Sequence, residues 1–255
     1  MILGAQVYSV RSMIQTPEGY LRVMKDLKAM GYETVQHAGA ALTDPYLLRD
    51  MTAEAGLRQI CPNIDAKPIL EDVDKVIETV RILGCDSIML PYITPDNFVT
   101  LKSFRENWSA LETPIQKLLD AGITPVYHNH DFDVAPMSDW DGSFVQWLLE
   151  NRPGWKFLLD VCWAEFARTD VLGYFEQLGD RIHSVHFKDY TGGMTCRHMP
   201  LFCACGKGIV QLESYMEKVK QMGIEDVIVE QDNAISYPDP MDQMAQSAAY
   251  LKRFG

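Results

Sequence analysis

No apolar run in the sequence approaches the ~18 residues that a membrane span requires. The opening stretch, MILGAQVYSVRS, turns polar too soon for a secretory signal, so a cytoplasmic setting is the expectation. Basic residues are in short supply: 23 Lys and Arg stand against 35 Asp and Glu, a net charge of −12 and a pI near 4.9. Such a surface repels phosphate backbones and anionic lipid, so neither nucleic acid nor membrane is an expected partner. Cysteine is sparse and irregularly spaced. Cys61, Cys85, Cys162, Cys196, Cys203 and Cys205 form no disulfide framework and are expected as reduced thiols. No Gly-rich phosphate turn follows the first strand, which removes the main signature of an open dinucleotide-binding sheet. No linker, low-complexity run or charge block interrupts the chain, so residues 1–255 are expected to form a single domain.

What the sequence does hold is a repeated unit. Short runs rich in Val, Ile and Leu alternate with longer segments of helical period that end in Gly, as in AMGYETVQ, EAGLRQIC, ILGCDSIML, DAGITPVY, QLGDRIHSVHF and QMGIEDVIVE. Glycine supplies the left-handed residue that closes a helix, so Gly31, Gly56, Gly84, Gly122, Gly179 and Gly223 are predicted helix-to-strand joints. With ILGAQV at the start and WKFLLD after Asn151 the strands number eight. Eight βα units in this length, with strands apolar on both faces, predict a closed (β/α)8 TIM barrel of the α/β class. Thr16-Pro17-Glu18 and Asp44-Pro45 look like helix starts, and Pro114 is expected to kink or divide the fourth helix.

In such a barrel the chemistry lies at the carboxyl ends of the strands. Strand one ends in Gln6 and Tyr8 with Arg11 beyond, strand two in Gln36 and His37, strand three in Asn63 and Asp65, strand four in Pro91 and Tyr92. Strand five ends in YHNHDFD with His128, His130, Asp131 and Asp133. Strand six brings Asp160, strand seven His186, Lys188 and Asp189, and strand eight Glu230 and Asp232. Imidazole and carboxylate delivered by four consecutive strands make a metal-site composition suited to Mn²⁺, Co²⁺, Zn²⁺ or Mg²⁺. Buried Asp160 and Glu230 would each be costly without a cation or hydrogen-bonded partner. Period-two geometry puts Val126, His128 and His130 on one face. Tyr8, Tyr92 and Trp163 offer either an apolar platform for a sugar ring or ordinary packing. His183 is expected to be structural, and His37 either a pocket wall or a catalyst. The segment TGGMTCRHMPLFCACGKG matches no zinc-ligand spacing and is expected to cover the site.

QVYSVR on strand one, YHNHDFD on five, LLDVCW on six, HFKD on seven, the GKG that precedes the next helix, and VEQD on eight resemble the xylose isomerase-like TIM-barrel superfamily over the whole length. That superfamily includes sugar phosphate isomerases/epimerases, inosose isomerases and dehydratases, and ketose 3-epimerases. The resemblance implies one divalent ion, with Mn²⁺ foremost, on Asp160, His186 and Glu230. His128 stands where many members carry Glu, which leaves the fourth ligand and the two-glutamate proton transfer of the ketose epimerases open. Asp133 stands where relatives of the HNHD type tend to carry Glu, and Asn63 where relatives often have His.

A ketose or inosose that chelates such an ion becomes acidic at the neighbouring C–H, and removal of that proton gives an enediolate. Glu230, His130, Lys188 and Asp133 are the acid/base candidates. His128, deeper in the strand, is assigned to the metal or to orienting a ligand, and His130, roughly 6–7 Å nearer the open end, to proton transfer. Gln6, Tyr8, His37, Tyr92, Asp133, Trp163 and Asp189 are candidates for substrate contact. Three functions compete: a metal-dependent sugar isomerase or epimerase, which is preferred; a lyase acting on an inosose or a 3-keto glycoside; and a non-catalytic sugar-binding protein. The partner in every case is a small carbohydrate, and self-association into a homo-oligomer is left open.

Overall fold

The computed structural model describes residues 1–38, 43–91, 100–196 and 198–255, apart from the side chains of 103, 104, 106 and 107. Its main elements run β1 (Ile2–Gln6), α1 (Pro17–Ala29), β2 (Thr34–Gln36), α2 (Pro45–Glu54), β3 (Arg58–Gln59), α3 (Val73–Ile82), β4 (Ser87–Leu90) and α4 (Leu101–Asp120). They continue with β5 (Thr124–His128), α5 (Phe144–Asn151), β6 (Lys156–Asp160), α6 (Val171–Leu178), β7 (Ile182–Phe187), α7 (Leu212–Met222), β8 (Asp226–Val229) and α8 (Pro240–Leu251). The strands are parallel and the class is the (β/α)8 TIM barrel.

Two compact units divide the chain, Met1–Ile60 with Ser184–Gly255, and Cys61–His183. In the first the strand order is β3-β2-β1-β8-β7. Gly4, Ala5 and Gln6 pair with Thr34, Val35 and Gln36, and Ile228 pairs with both Gly4 and His186. Gly4 is where backbones come closest, since a Cβ there would lie 2.7 Å from Thr34 Oγ1. Tyr20, Val23, Met24 and Leu27 on α1 and Tyr215, Met216 and Val219 on α7 recur every three to four residues and are buried. In the second unit β6, β5 and β4 are neighbours, and β5 places His128 opposite Leu158. Its core is aromatic: Trp108 lies 5.4 Å from Phe144 and 5.4 Å from Trp155, and Tyr127 meets Phe144 edge-on at 4.8 Å.

All six predicted joint glycines have positive φ, from 54° to 91°. Thr16 caps α1 by accepting from Gly19 N at 3.1 Å, and Asp44 caps α2 by accepting from Tyr46 N at 2.9 Å and Leu47 N at 3.3 Å. Asp44→Ala is therefore expected to cost about 1 kcal/mol, a fall in Tm of roughly 2–4 °C in a chain this size. A thermal melt unchanged from the parent would show that the cap contributes nothing.

Three local expectations need correction. The fourth helix, expected to be kinked or divided at Pro114, is one undivided element over Leu101–Asp120 with the proline inside. Proline removes a single N–H, whereas Trp108, Leu111, Ile115 and Leu118 bury a continuous stripe on both sides of it. Strand three is only two residues long, because Cys61 takes φ 38° and leaves the ladder, with pairing resumed in a bridge from Asn63 to Met89. The segment after β7 is not a plain loop: Asp189–Met194 and Pro200–Cys203 pair antiparallel.

Candidate metal centre and active site

Register decides which strand-end side chains share a face. On β1 and β2, Gln6 pairs with Gln36 in parallel register, and Gly4, two residues earlier, pairs with Ile228. Ile228 pairs with His186, so Gln6, Gln36, His186 and, two residues past Ile228, Glu230 have the same parity. They are all buried. His186 Nδ1 lies 2.9 Å from Glu230 Oε2, and His186 Nε2 lies 2.7 Å from Gln36 Oε1. Lys188, only 1% exposed, sets its ammonium 2.8 Å from Glu230 Oε2 and 3.0 Å from Asp232 Oδ2. Arg11 closes the edge of this group, donating to the carbonyls of Tyr8 at 2.8 Å and Asp232 at 3.0 Å with its guanidinium 3.9 Å above the Tyr8 ring.

In the second unit the candidate side chains come from β5 and β6. His128 is in register with Leu158, so Asp160 lies on the same face one step further on. His128 Nε2 is 3.1 Å from Asp160 Oδ2. The other carboxylate oxygen of Asp160 accepts from Trp163 N at 2.9 Å and caps the short helix Val161–Phe166. Asn129 grips the Asp160 backbone on both sides, accepting from Asp160 N at 2.9 Å and donating to Asp160 O at 3.2 Å.

His130 lies past the end of β5 as the N-cap residue of the turn Asp131–Val134. Its ring meets that of His128 edge-on at 4.7 Å. Asp133 Oδ2 accepts from His130 N at 2.7 Å and stands 3.6 Å from His130 Nδ1, and Asp133 Oδ1 accepts from the Tyr127 hydroxyl at 2.8 Å. Burial pushes the Asp133 carboxyl up, while the His130 contacts and the Tyr127 hydroxyl pull it back.

The remaining candidates are placed as follows. Gln6 has both ends of its amide engaged, by Tyr8 N at 3.2 Å and by Gln36 at 3.3 Å. Trp163 is 2% exposed, its ring 5.2 Å from His130, so it walls the histidine and offers no open face as a platform. Asp189 is a loop organiser: Tyr190, Gly206, Gly208 and Val210 all donate backbone N–H groups to it at 2.9–3.1 Å. Tyr8 is half-buried beneath Arg11, and Tyr92 lies outside the described residues. His183 bonds Ser87 Oγ at 3.1 Å, as a structural residue would. Cys203 and Cys205 are buried with thiols pushed up by desolvation, Cys203 to about 12.

Burial lowers His37 to about 4, so its imidazole is neutral at pH 7. The unfolded chain takes up this proton near pH 6.5 and the folded chain only near pH 4, so His37 adds nothing above 6.5 and costs stability as pH falls through that window. His37→Gln is expected to flatten part of the acid-side loss between pH 6.5 and 4, up to about 3 kcal/mol. Urea melts at pH 7 and pH 4.5 that drop equally in both proteins would refute the assignment.

Residues 24–254 match the family described as xylose isomerase-like TIM barrel. The chain belongs to that family. No curated protein sequence matches it. Among solved structures, a sugar phosphate isomerase/epimerase from Parabacteroides distasonis superposes with TM-score 0.78 at 19% identity, covering 98% of this chain and 97% of that one. The probable 3-DHS dehydratase involved in petrobactin synthesis from Bacillus anthracis gives TM-score 0.76 at 12% identity, over 99% of both chains. D-allulose 3-epimerase from Methylomonas sp., in complex with D-allulose, gives 0.69 at 17% identity over 100% of this chain and 97% of that one. At these identities the likeness establishes the fold.

His128 with Asp160 in one unit, and His186 with Glu230 in the other, are each a buried imidazole–carboxylate pair of metal-ligating type. No helix among the described residues is long and apolar enough to cross a membrane. Two contributors were missed by sequence reasoning. Asn129 was not singled out, and Gln36 was noted only as a strand end. A polar residue at or directly after the last rung of a strand is the signal that was available for both.

Proposed function

We propose that the protein is a divalent-metal-dependent sugar isomerase or epimerase, with residues 1–255 acting as one catalytic domain in the cytoplasm. The observation that carries this reading is the pair of buried His–carboxylate contacts, His128 Nε2 to Asp160 Oδ2 at 3.1 Å and His186 Nδ1 to Glu230 Oε2 at 2.9 Å. Both separations fit ligands to a cation. A set of two imidazoles and two carboxylates suits Mn²⁺, Co²⁺ or Zn²⁺ better than an all-oxygen site would. The ion, when bound, supplies a Lewis acid that polarises the sugar carbonyl.

The chain's own residues do the rest. Asn129 holds the Asp160 backbone and the Trp163 amide its carboxylate, so Asp160 needs no rearrangement when substrate arrives. His130 takes the proton next to the carbonyl; Asp133 holds its backbone and faces Nδ1, which leaves Nε2 as the working nitrogen. Trp163 and Phe132, with ring centroids 5.2 and 5.6 Å from His130, exclude water around that imidazole. Lys188, held between Glu230 and Asp232, is the proton donor to the enediolate oxygen in this reading. Return of the proton to the same carbon gives epimerisation, and return to the next carbon gives isomerisation.

A lyase acting on an inosose or 3-keto glycoside is the second reading, favoured by one feature. His130 is an imidazole with a dedicated carboxylate partner, a base suited to elimination. A panel of ketoses, inososes and 3-keto glycosides incubated with the Mn²⁺-loaded enzyme tests both. Change in optical rotation without new ultraviolet absorbance supports the first, and enone absorbance supports the second. Neither signal across the panel refutes the carbohydrate assignment.

A further inference from the structure

A chain of hydrogen bonds running inward from a backbone amide determines the orientation of every group up to His186. The Tyr8 backbone N–H can only donate, so the Gln6 atom it meets at 3.2 Å is the carbonyl oxygen. The other end of the Gln6 amide is then the NH₂ group. It points at Gln36, 3.3 Å away, so the Gln36 atom it meets is an acceptor, Oε1. The same Oε1 lies 2.7 Å from His186 Nε2. An amide oxygen cannot donate, so the proton in that contact is carried by His186 Nε2. All these side chains are buried, Gln6 at 1% exposure and Gln36 and His186 at 0%, so no bulk water offers an alternative partner.

We infer that Gln36, itself oriented by Gln6, is a positioning residue that holds His186 protonated on Nε2 and so makes Nδ1 the ligating nitrogen. The inference rests on the reading of this site as a divalent-metal centre. It assigns Gln6 to the support of the site and not to substrate. The physical reason is general: the hydrogen bond made by one ring nitrogen sets which nitrogen is left for a metal, and it fixes the ring plane as well. Nδ1 already faces Glu230 Oε2 at 2.9 Å, the direction a shared ion requires. A neutral glutamine orients the ring without adding a charge beside Lys188, Glu230 and Asp232.

The test uses the full chain loaded with Zn²⁺, which is diamagnetic, and long-range ¹H–¹⁵N correlation of the histidine rings, with His186 assigned by its loss in His186→Asn. The expected pattern is a protonated Nε2 and a zinc-shifted Nδ1. A zinc-shifted Nε2 with a protonated Nδ1 overturns the inference and leaves the metal reading intact. Absence of any zinc binding overturns both. In parallel, Gln36→Leu is expected to weaken Zn²⁺ affinity 10- to 100-fold in a competition titration. Gln36→Glu, which keeps the acceptor, should restore most of it. Parental affinity in Gln36→Leu, with a metal-free melt equal to the parent's, refutes the role; if Gln36→Leu does not fold, the spectrum of the parent decides.

Discussion

Dialysis against a chelator should abolish turnover and lower Tm, and Mn²⁺ or Co²⁺ should restore both, Ca²⁺ much less, because its larger shell prefers six to eight oxygen ligands. A cation present at 100 times its Kd stabilises the folded chain by about 2.7 kcal/mol, a rise in Tm of roughly 5–10 °C for a chain of this size. Asp160 is the sharpest probe, because it is fully buried and three groups, His128 Nε2, Trp163 N and Asn129, fix it in place. Asp160→Asn keeps the size and the helix cap but removes the charge, so the metal-dependent gain in Tm should vanish and turnover should fall by at least 10²-fold. If parent and mutant respond to Mn²⁺ alike, Asp160 is not a ligand. Full activity in a preparation free of metal would refute the centre altogether.

The second large effect separates the two histidines of β5. His128→Ala should lower metal content, whereas His130→Ala should keep the ion and lose turnover by about 10²–10⁴-fold, the range for a missing general base. Exchange of solvent protons at the substrate carbon should fall with it. The competing base is Lys188, whose ammonium is held between Glu230 and Asp232. Lys188→Met leaves the buried carboxylate of Glu230 without its cation and should cost about 3–5 kcal/mol, so its exchange rate has to be measured on protein shown to be folded. If His130→Ala exchanges protons at the parental rate and folded Lys188→Met does not, the base is Lys188. Asp133→Asn adds a check: the carboxylate that faces His130 Nδ1 is lost, and turnover should drop while metal content holds.

Which parts of this protein follow from its order of residues, and which from its folding, can be stated element by element. The eight strands and the fold class were legible because strand and helix periods are local, and six of the helices announce their end with a glycine of positive φ. Candidate ligands were legible for the same reason. A polar residue directly after a buried apolar run, as Asp160 after Leu158-Leu159 or Glu230 after Ile228-Val229, has to be at a strand's carboxyl end. Pro114 and the antiparallel pairing of Asp189–Met194 with Pro200–Cys203 were not legible, because a buried stripe outweighs one missing N–H and hairpin pairing joins residues by contacts no local period encodes.

The division of labour among the polar residues belongs to the tertiary structure alone. Asp189 lies beside His186 and Lys188 in sequence, yet four backbone amides of the following loop claim it. Gln36 is 150 residues from His186 and becomes its partner only because β1, β2, β7 and β8 pair in one register. Sequence order determines which chemical groups arrive at the strand ends. Register and side-chain packing determine which donor meets which acceptor, because a hydrogen bond depends on angles and tenths of an ångström that only neighbouring strands can set.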